Sequence, residues 1–167
     1  MRFAFCPSCG ARLGERPLGD DGMVPWCERC GRPWWDAFTT AVICAVIDER
    51  GRTALIRQNY GDTGRFVCVA GFMKPGETAE EAVRREVLEE IGQQVEDVRF
   101  IRSYVHQGKD MLMLGFAAHV LERPFRLSDE VAEAVWLPPG EALERLKNSR
   151  IAALLVRETA EKELKSE

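Results

Sequence analysis

Residues 71 to 93 read G-F-M-K-P-G-E-T-A-E-E-A-V-R-R-E-V-L-E-E-I-G-Q, and the reading of this stretch decides the fold. Pro75-Gly76 interrupts the backbone and Gly92 is a natural stop, so the pattern predicts a helix over 78–91. On that helix Glu86, Glu89 and Glu90 stand at i, i+3 and i+4, within an arc of roughly 100°. Ala79, Ala82 and Val83 fall on the same side by the same count. The three carboxylates are therefore expected on a face turned to a sheet or cleft floor rather than to bulk water. Carboxylates so close repel one another. A hard divalent cation relieves the repulsion, and magnesium takes carboxylate oxygens, water and phosphate together. Such an ion polarises phosphoryl oxygens and acidifies a water molecule. For a bare E-x-x-E-E, a solvated acidic face is the simpler reading; here the whole string counts.

Strand-like segments surround this helix. Residues 39–47 are apolar and β-branched, a buried strand. Asp48-Glu49-Arg50-Gly51 supplies a turn, and 52–57 returns. A polar loop over 58–64 leads to a short strand at 65–70, then to a loop at 71–76. Residues 98–105 and 111–120 read as strands around a polar loop, and 131–137 as another. Pro138-Pro139-Gly140 breaks it, and helices are expected at 141–147 and 151–164. Strands and helices mix without strict alternation, which implies a mixed sheet flanked by helices, an α/β class.

The first 38 residues differ. They hold four of the six cysteines, five of the fourteen glycines, four of the eight prolines and three of the four tryptophans, with no helical period. A boundary near Phe38 divides the chain into 1–38 and 39–167. Cys6, Cys9, Cys27 and Cys30 follow C-x2-C-x17-C-x2-C, the spacing of a structural zinc site. Four thiolates suit tetrahedral Zn²⁺ and leave no open position for catalysis. Gly10 and Gly31 follow the second cysteine of each pair, where a left-handed backbone is often needed. About forty residues bury little core, so the metal would hold this piece together. Cys44 and Cys68, in apolar runs, read as buried thiols.

The chain has 167 residues, 46% hydrophobic and 30% charged, enough for one ordinary domain plus a small appendage. The formal net charge of −4 makes nucleic acid a disfavoured partner. The longest apolar run, 41–47, is too short to span a membrane, and no apolar leader opens the sequence. A cytoplasmic location is expected.

The 71–93 string resembles the signature of the Nudix (MutT-like) hydrolases, G-x5-E-x7-R-E-U-x-E-E-x-G-U, with U a bulky apolar residue. Gly71, Glu77, Arg85, Glu86, Val87, Glu89, Glu90 and Gly92 match; the last position is Gln93. The resemblance implies an α/β/α sandwich with a mixed sheet and hydrolysis of a nucleoside diphosphate derivative. By resemblance, Glu86, Glu89 and Glu90 hold catalytic Mg²⁺ or Mn²⁺, and the Gly71 carbonyl also ligates it. Arg85 orients a carboxylate and Glu77 holds Arg85. Glu89, Glu90 or a later carboxylate, for which Glu130 is the candidate, acts as base. Phe72 is matched to a residue that stacks on a base.

A four-cysteine ribbon before such a domain resembles the NADH pyrophosphatase branch, which splits dinucleotides and in some members removes NAD caps from RNA. That branch is typically dimeric, which implies a homodimer here. It carries S-Q-P-W-P-F-P-x-S-L-M after the signature. This chain has Ser103-Tyr104-Val105-His106-Gln107-Gly108-Lys109-Asp110-Met111-Leu112-Met113, with Ser103, Leu112 and Met113 in register. The aromatic and proline core of the motif is replaced by a polar loop in which His106 and Lys109 could meet phosphate or sugar. His119, in a strand, reads as structural. The expected substrate is a dinucleotide such as NAD(H), FAD or ADP-ribose. The alternatives are a nucleoside triphosphate, a nucleotide sensor without turnover, or capped RNA.

Overall fold

The computed structural model describes residues 3–61, 63–106 and 108–164, and the chain divides into two compact units, Met1–Thr39 and Thr40–Glu167. Gln107, inside the altered segment, lies outside the described residues.

The first unit is a three-stranded antiparallel sheet, β1 (Gly14–Pro17), β2 (Met23–Cys27) and β3 (Arg32–Pro33), in the order β1-β2-β3. Its two cysteine pairs make the same turn. The Gly10 N–H donates to the Cys6 carbonyl and the Gly31 N–H to the Cys27 carbonyl, each at 2.8 Å. Both glycines have positive φ, +73° and +63°, as the spacing suggested.

The second unit is an α/β sandwich with a mixed sheet. Its strands are β4 (Thr39–Ile47), β5 (Thr53–Gln58), β6 (Val69–Phe72), β7 (Val95–His106), β8 (Met111–Val120) and β9 (Val131–Leu137). The helices are α1 (Ala79–Ile91), α2 (Pro139–Arg145) and α3 (Arg150–Glu163). The strand order is β7-β8-β4-β5-β9, with β6 also paired to β4. Central β4 shows why the layers form. Val42, Cys44 and Val46 face α1 and pack with Ala82, Val83, Val87 and Ile91. Ile43, Ala45 and Ile47 face the other way and pack with Leu146, Leu155 and Val156 of the C-terminal helices. A strand covered on both faces is apolar at every position, and the two-residue alternation divides it between two cores.

Several boundaries differ from the sequence reading. Thr78 caps α1 instead of joining it: its hydroxyl accepts from the Glu81 N–H and Glu81 returns a bond to the Thr78 N–H. β6 starts later, at Val69, because residues 65–66 are drawn toward the start of α3. Arg65 donates to the Asn148 carbonyl and the Ser149 hydroxyl to the Phe66 carbonyl, at 3.3 and 3.0 Å. Gly71 and Phe72, expected in a loop, belong to β6 and pair with Val42 and Ala41. β7 starts at Val95, three residues early. α2 begins at Pro139, since proline suits the first helical position.

Gly92 ends α1 with φ +70°, and a methyl group there would lie 2.6 Å from Arg126 Cβ. Gly140, in α2, has open space around it. Gly92→Ala is expected to lower stability by about 2 kcal/mol or more. Gly140→Ala should leave it unchanged or raise it by about 0.5–1 kcal/mol. Urea denaturation of both variants checks the pair.

Candidate active site

Helix α1 offers its carboxylates to an open cleft of about 1370 Å³, lined by Gly71, Phe72, Glu86, Glu89, Glu90 and Glu130 among others. Glu86 and Glu90, one turn apart, are buried at 9% and 6% exposure beside Ala82 and Val83. Glu89 does not share that face. Its side chain is 52% exposed, because a step of three residues from Glu86 falls about 60° short of a full turn and leaves the buried stripe that a step of four follows. The expectation of one face for all three acids is corrected to a buried pair with a third acid at its rim.

Gly71 is where β6 meets the pair. A methyl group on it would fall 1.9 Å from the Glu86 carboxylate carbon and 2.0 and 2.3 Å from the two oxygens. Only a residue without Cβ lets the strand pass so close to a carboxylate.

Arg85 organises the rim. Its Nε and Nη2 donate to the two Glu77 oxygens at 3.0 and 2.7 Å, a two-point fork. Its Nη1 donates to Glu86 and, at 3.2 Å, to Glu89; Nη2 also reaches the Phe72 carbonyl at 3.1 Å. The Arg85 bonds, with one from the Lys74 N–H, hold Glu77 down at about 2. Lys74 Nζ stands 3.7 Å from Glu89.

Among the described residues no cation pairs with Glu90. Its Oε2 is buried and has no hydrogen-bond partner. Burial first, then the charges of Glu86 and Glu130, raise it to about 8, and a bond from the Ala70 N–H offsets this only in part. Glu130 lines the same cleft, near enough for its charge to act on Glu90. The Asn59 N–H donates to the Glu130 carbonyl and Asn59 Nδ2 to the Asp129 carbonyl, both at 2.8 Å. Tyr60 lines the same wall, its hydroxyl raised by partial burial and then by Glu130, Glu90 and Glu86. The sequence reading passed over Asn59 and Tyr60, which lie in a loop without pattern, and Lys74, an unspecified position of the 71–93 string.

Phe72 is 59% exposed at the cleft and is not packed beneath a loop. His106 and Lys109 also line the cleft. His119 does not; its ring nitrogens lie 3.4 Å from Glu163 and 3.8 Å from Asp97.

In the first unit the four cysteine sulfurs all lie within 4.8 Å of one another. Cys6 and Cys30 sulfurs are 3.9 Å apart, Cys9 and Cys27 3.6 Å. A tetrahedron with Zn–S bonds of about 2.3 Å has edges of about 3.8 Å, so the spacing fits zinc and not a disulfide. The neighbouring thiols Cys9 and Cys27 push Cys30 up to about 12, a cost that a cation bound among them removes.

Residues 37–162 match the NUDIX domain family. The chain is 30% identical over 157 residues to NAD-capped RNA hydrolase NudC of Photobacterium profundum, covering 93% of this chain and 58% of that protein. It is 31% identical over 162 residues to human NAD-capped RNA hydrolase NUDT12, covering 93% of this chain and 35% of that protein. The chain therefore spans less than two thirds of the length of these curated relatives. Among solved structures, a NUDIX hydrolase from Nitrosomonas europaea superposes with a TM-score of 0.70 at 23% identity, over 86% of this chain and 82% of that one.

The protonated Glu90 makes a test. A cation that binds its carboxylate form displaces the proton, so Mn²⁺ affinity should climb as pH rises toward 8 and level off above it. Calorimetry at pH 7 in buffers of different ionisation enthalpy is expected to register close to one proton released per Mn²⁺. Affinity independent of pH between about 6 and 8 would refute the assignment.

Proposed function

The chain belongs to the NUDIX domain family, and from that premise we propose that it is a divalent-cation-dependent pyrophosphohydrolase acting on a dinucleotide such as NAD(H), FAD or ADP-ribose. The observation that carries this reading is the buried Glu86–Glu90 pair, with one Glu90 oxygen unpartnered, facing Glu130 across an open cleft. The names of the NudC and NUDT12 relatives support an NAD-containing substrate.

Glu86, Glu89, Glu90 and the Gly71 carbonyl are the groups that would hold Mg²⁺ or Mn²⁺. Bound there, the ion neutralises the acids, draws charge from the pyrophosphate and acidifies water. The chain's own residues do the rest. Arg85, forked to Glu77, fixes the carboxylates of Glu86 and Glu89. Phe72 offers its exposed ring to a base. Glu130 is the proton acceptor, because Glu89 is engaged by Arg85 and Lys74 and Glu90 is enclosed. Water forms a bond to phosphorus, the bridging P–O bond breaks, and two phosphate monoesters leave: two mononucleotides from NAD(H) or FAD, a mononucleotide and a sugar phosphate from ADP-ribose. The proton of the attacking water goes to the Glu130 carboxylate.

His106 and Lys109 at the cleft favour a second reading, a triphosphate substrate, since they put a cation and an imidazole where the dinucleotide branch has apolar side chains. The ribbon is proposed to hold one structural Zn²⁺. Six unpaired cysteines fit the reducing conditions of a cytoplasm. Homodimerisation is proposed from the branch resemblance. No helix among the described residues is long and apolar enough to cross a membrane.

The test is mononucleotide release with Mg²⁺ or Mn²⁺ from NADH, NAD, FAD, ADP-ribose, common triphosphates and NAD-capped RNA. Two mononucleotides from a dinucleotide are expected, abolished by EDTA. Glu90→Gln should lower kcat by about 10³-fold with the fold intact. Tight binding without turnover would replace the enzyme by a sensor. Elemental analysis should find one zinc per chain, lost in Cys27→Ser; a metal-free wild type would remove the zinc assignment.

A further inference from the structure

Gln93 stands where the signature has an apolar residue. Its side chain is fully buried, and both ends of its amide are used. Nε2 donates to the Arg123 carbonyl at 2.8 Å, and Oε1 accepts from the Arg123 N–H at 3.0 Å. A side chain thus makes the two-bond pairing that one strand residue normally makes with another. A leucine of similar size would fill the space and leave both backbone groups of Arg123 without these partners. Pro124 has no N–H to offer in their place.

The bonds continue along residues 123–130. The Arg126 N–H donates to the Ile91 carbonyl and the Ser128 N–H to the Glu90 carbonyl, each at 3.1 Å. These are carbonyls of the last turn of α1, which lack partners inside the helix. Gly92 leaves room for Arg126 to pass. Two residues beyond Ser128 stands Glu130, which lines the cleft together with Glu90. The segment is a strap laid across the end of α1, with Gln93 as its first fastening.

We propose that Gln93 is a positioning residue: by clasping Arg123 it fixes the 123–130 strap to α1 and sets the Glu130 carboxylate opposite Glu90. This rests on the assignment of Glu130 as proton acceptor. Displacement of such a group by about 1 Å costs on the order of 10²-fold in rate, so a fastening seven residues away is felt in turnover before it is felt in binding.

The test uses Gln93→Leu and Glu130→Gln, singly and together, in the full chain. Hydrogen exchange at the Arg126 and Ser128 amides is expected to quicken about tenfold or more in Gln93→Leu, with amides of the middle of α1 unchanged. With NADH and Mn²⁺, kcat should fall about tenfold or more while KM stays within about twofold. In the Glu130→Gln background the same change should cost less than about twofold, because the group it positions is gone. Unchanged exchange in the strap overturns the proposal even if NADH is not cleaved. A full multiplicative loss in the double variant overturns it as well. Wild-type kcat in Glu130→Gln alone rejects the Glu130 assignment instead, and with it the role of Gln93. If Gln93→Leu does not fold, Arg123→Pro removes the strap's N–H donor, leaves Gln93 in place and is read by the same outcomes.

Discussion

Two carboxylates one helical turn apart, buried against a strand, are the constraint around which the larger unit is built. Burying a charge is costly unless it is paired. Glu86 is relieved by Arg85, whose own position is fixed by the fork to Glu77. Glu90 has no such relief and holds its proton to about 8. The chain thus tolerates one acid through a neighbour and leaves the other to be satisfied by something from outside. Gly71 makes the arrangement possible, since any side chain there would occupy the space of the Glu86 carboxylate.

The scaffold meets this demand by dividing its apolar residues between two cores. One core anchors α1 through Val83, Val87 and Ile91, the same helix face that carries Glu86 and Glu90. The acids are therefore held as firmly as the core. The other core seats α2 and α3 and forms the opposite wall of the cleft. The carboxylates thus sit on a floor packed into one core, and the facing wall belongs to the other.

Much of this was legible in the sequence because helix geometry and ligand spacing are local. The helical count put Glu86 and Glu90 on the face shared with Ala82 and Val83, and the knuckle spacing brought together Cys6, Cys9, Cys27 and Cys30; Gly71 and Arg85 were singled out by resemblance. Glu130 was legible only by resemblance, since about forty residues of sequence separate it from Glu90. The position of Glu89 was misjudged because the buried face of α1 runs from Ala82 round to Ile91, roughly 180°, and Glu89 falls about 20° beyond its Ala82 edge. Asn59, Tyr60 and the Gln93–Arg123 clasp carry no periodic signal; they are meetings of distant segments. The T-x-x-E of Thr78 and Glu81 was a readable cap that boundary reasoning passed over.

The step of four residues from Glu86 to Glu90 has a consequence for how this protein can change over generations. Insertion of a single residue between Glu77 and Glu90 would turn part of α1 by about 100° relative to the rest. Arg85 or an acid would then swing away from the others while an apolar residue was driven to the surface. Such a length change inside α1 would break the arrangement that buries Glu86 and Glu90, whatever residue it inserted. The turn between β7 and β8 answers to no such pitch; Lys109 there is exposed. Lengthening or replacement at that turn would change the cleft lining near Lys109 and leave the carboxylates of α1 where they are.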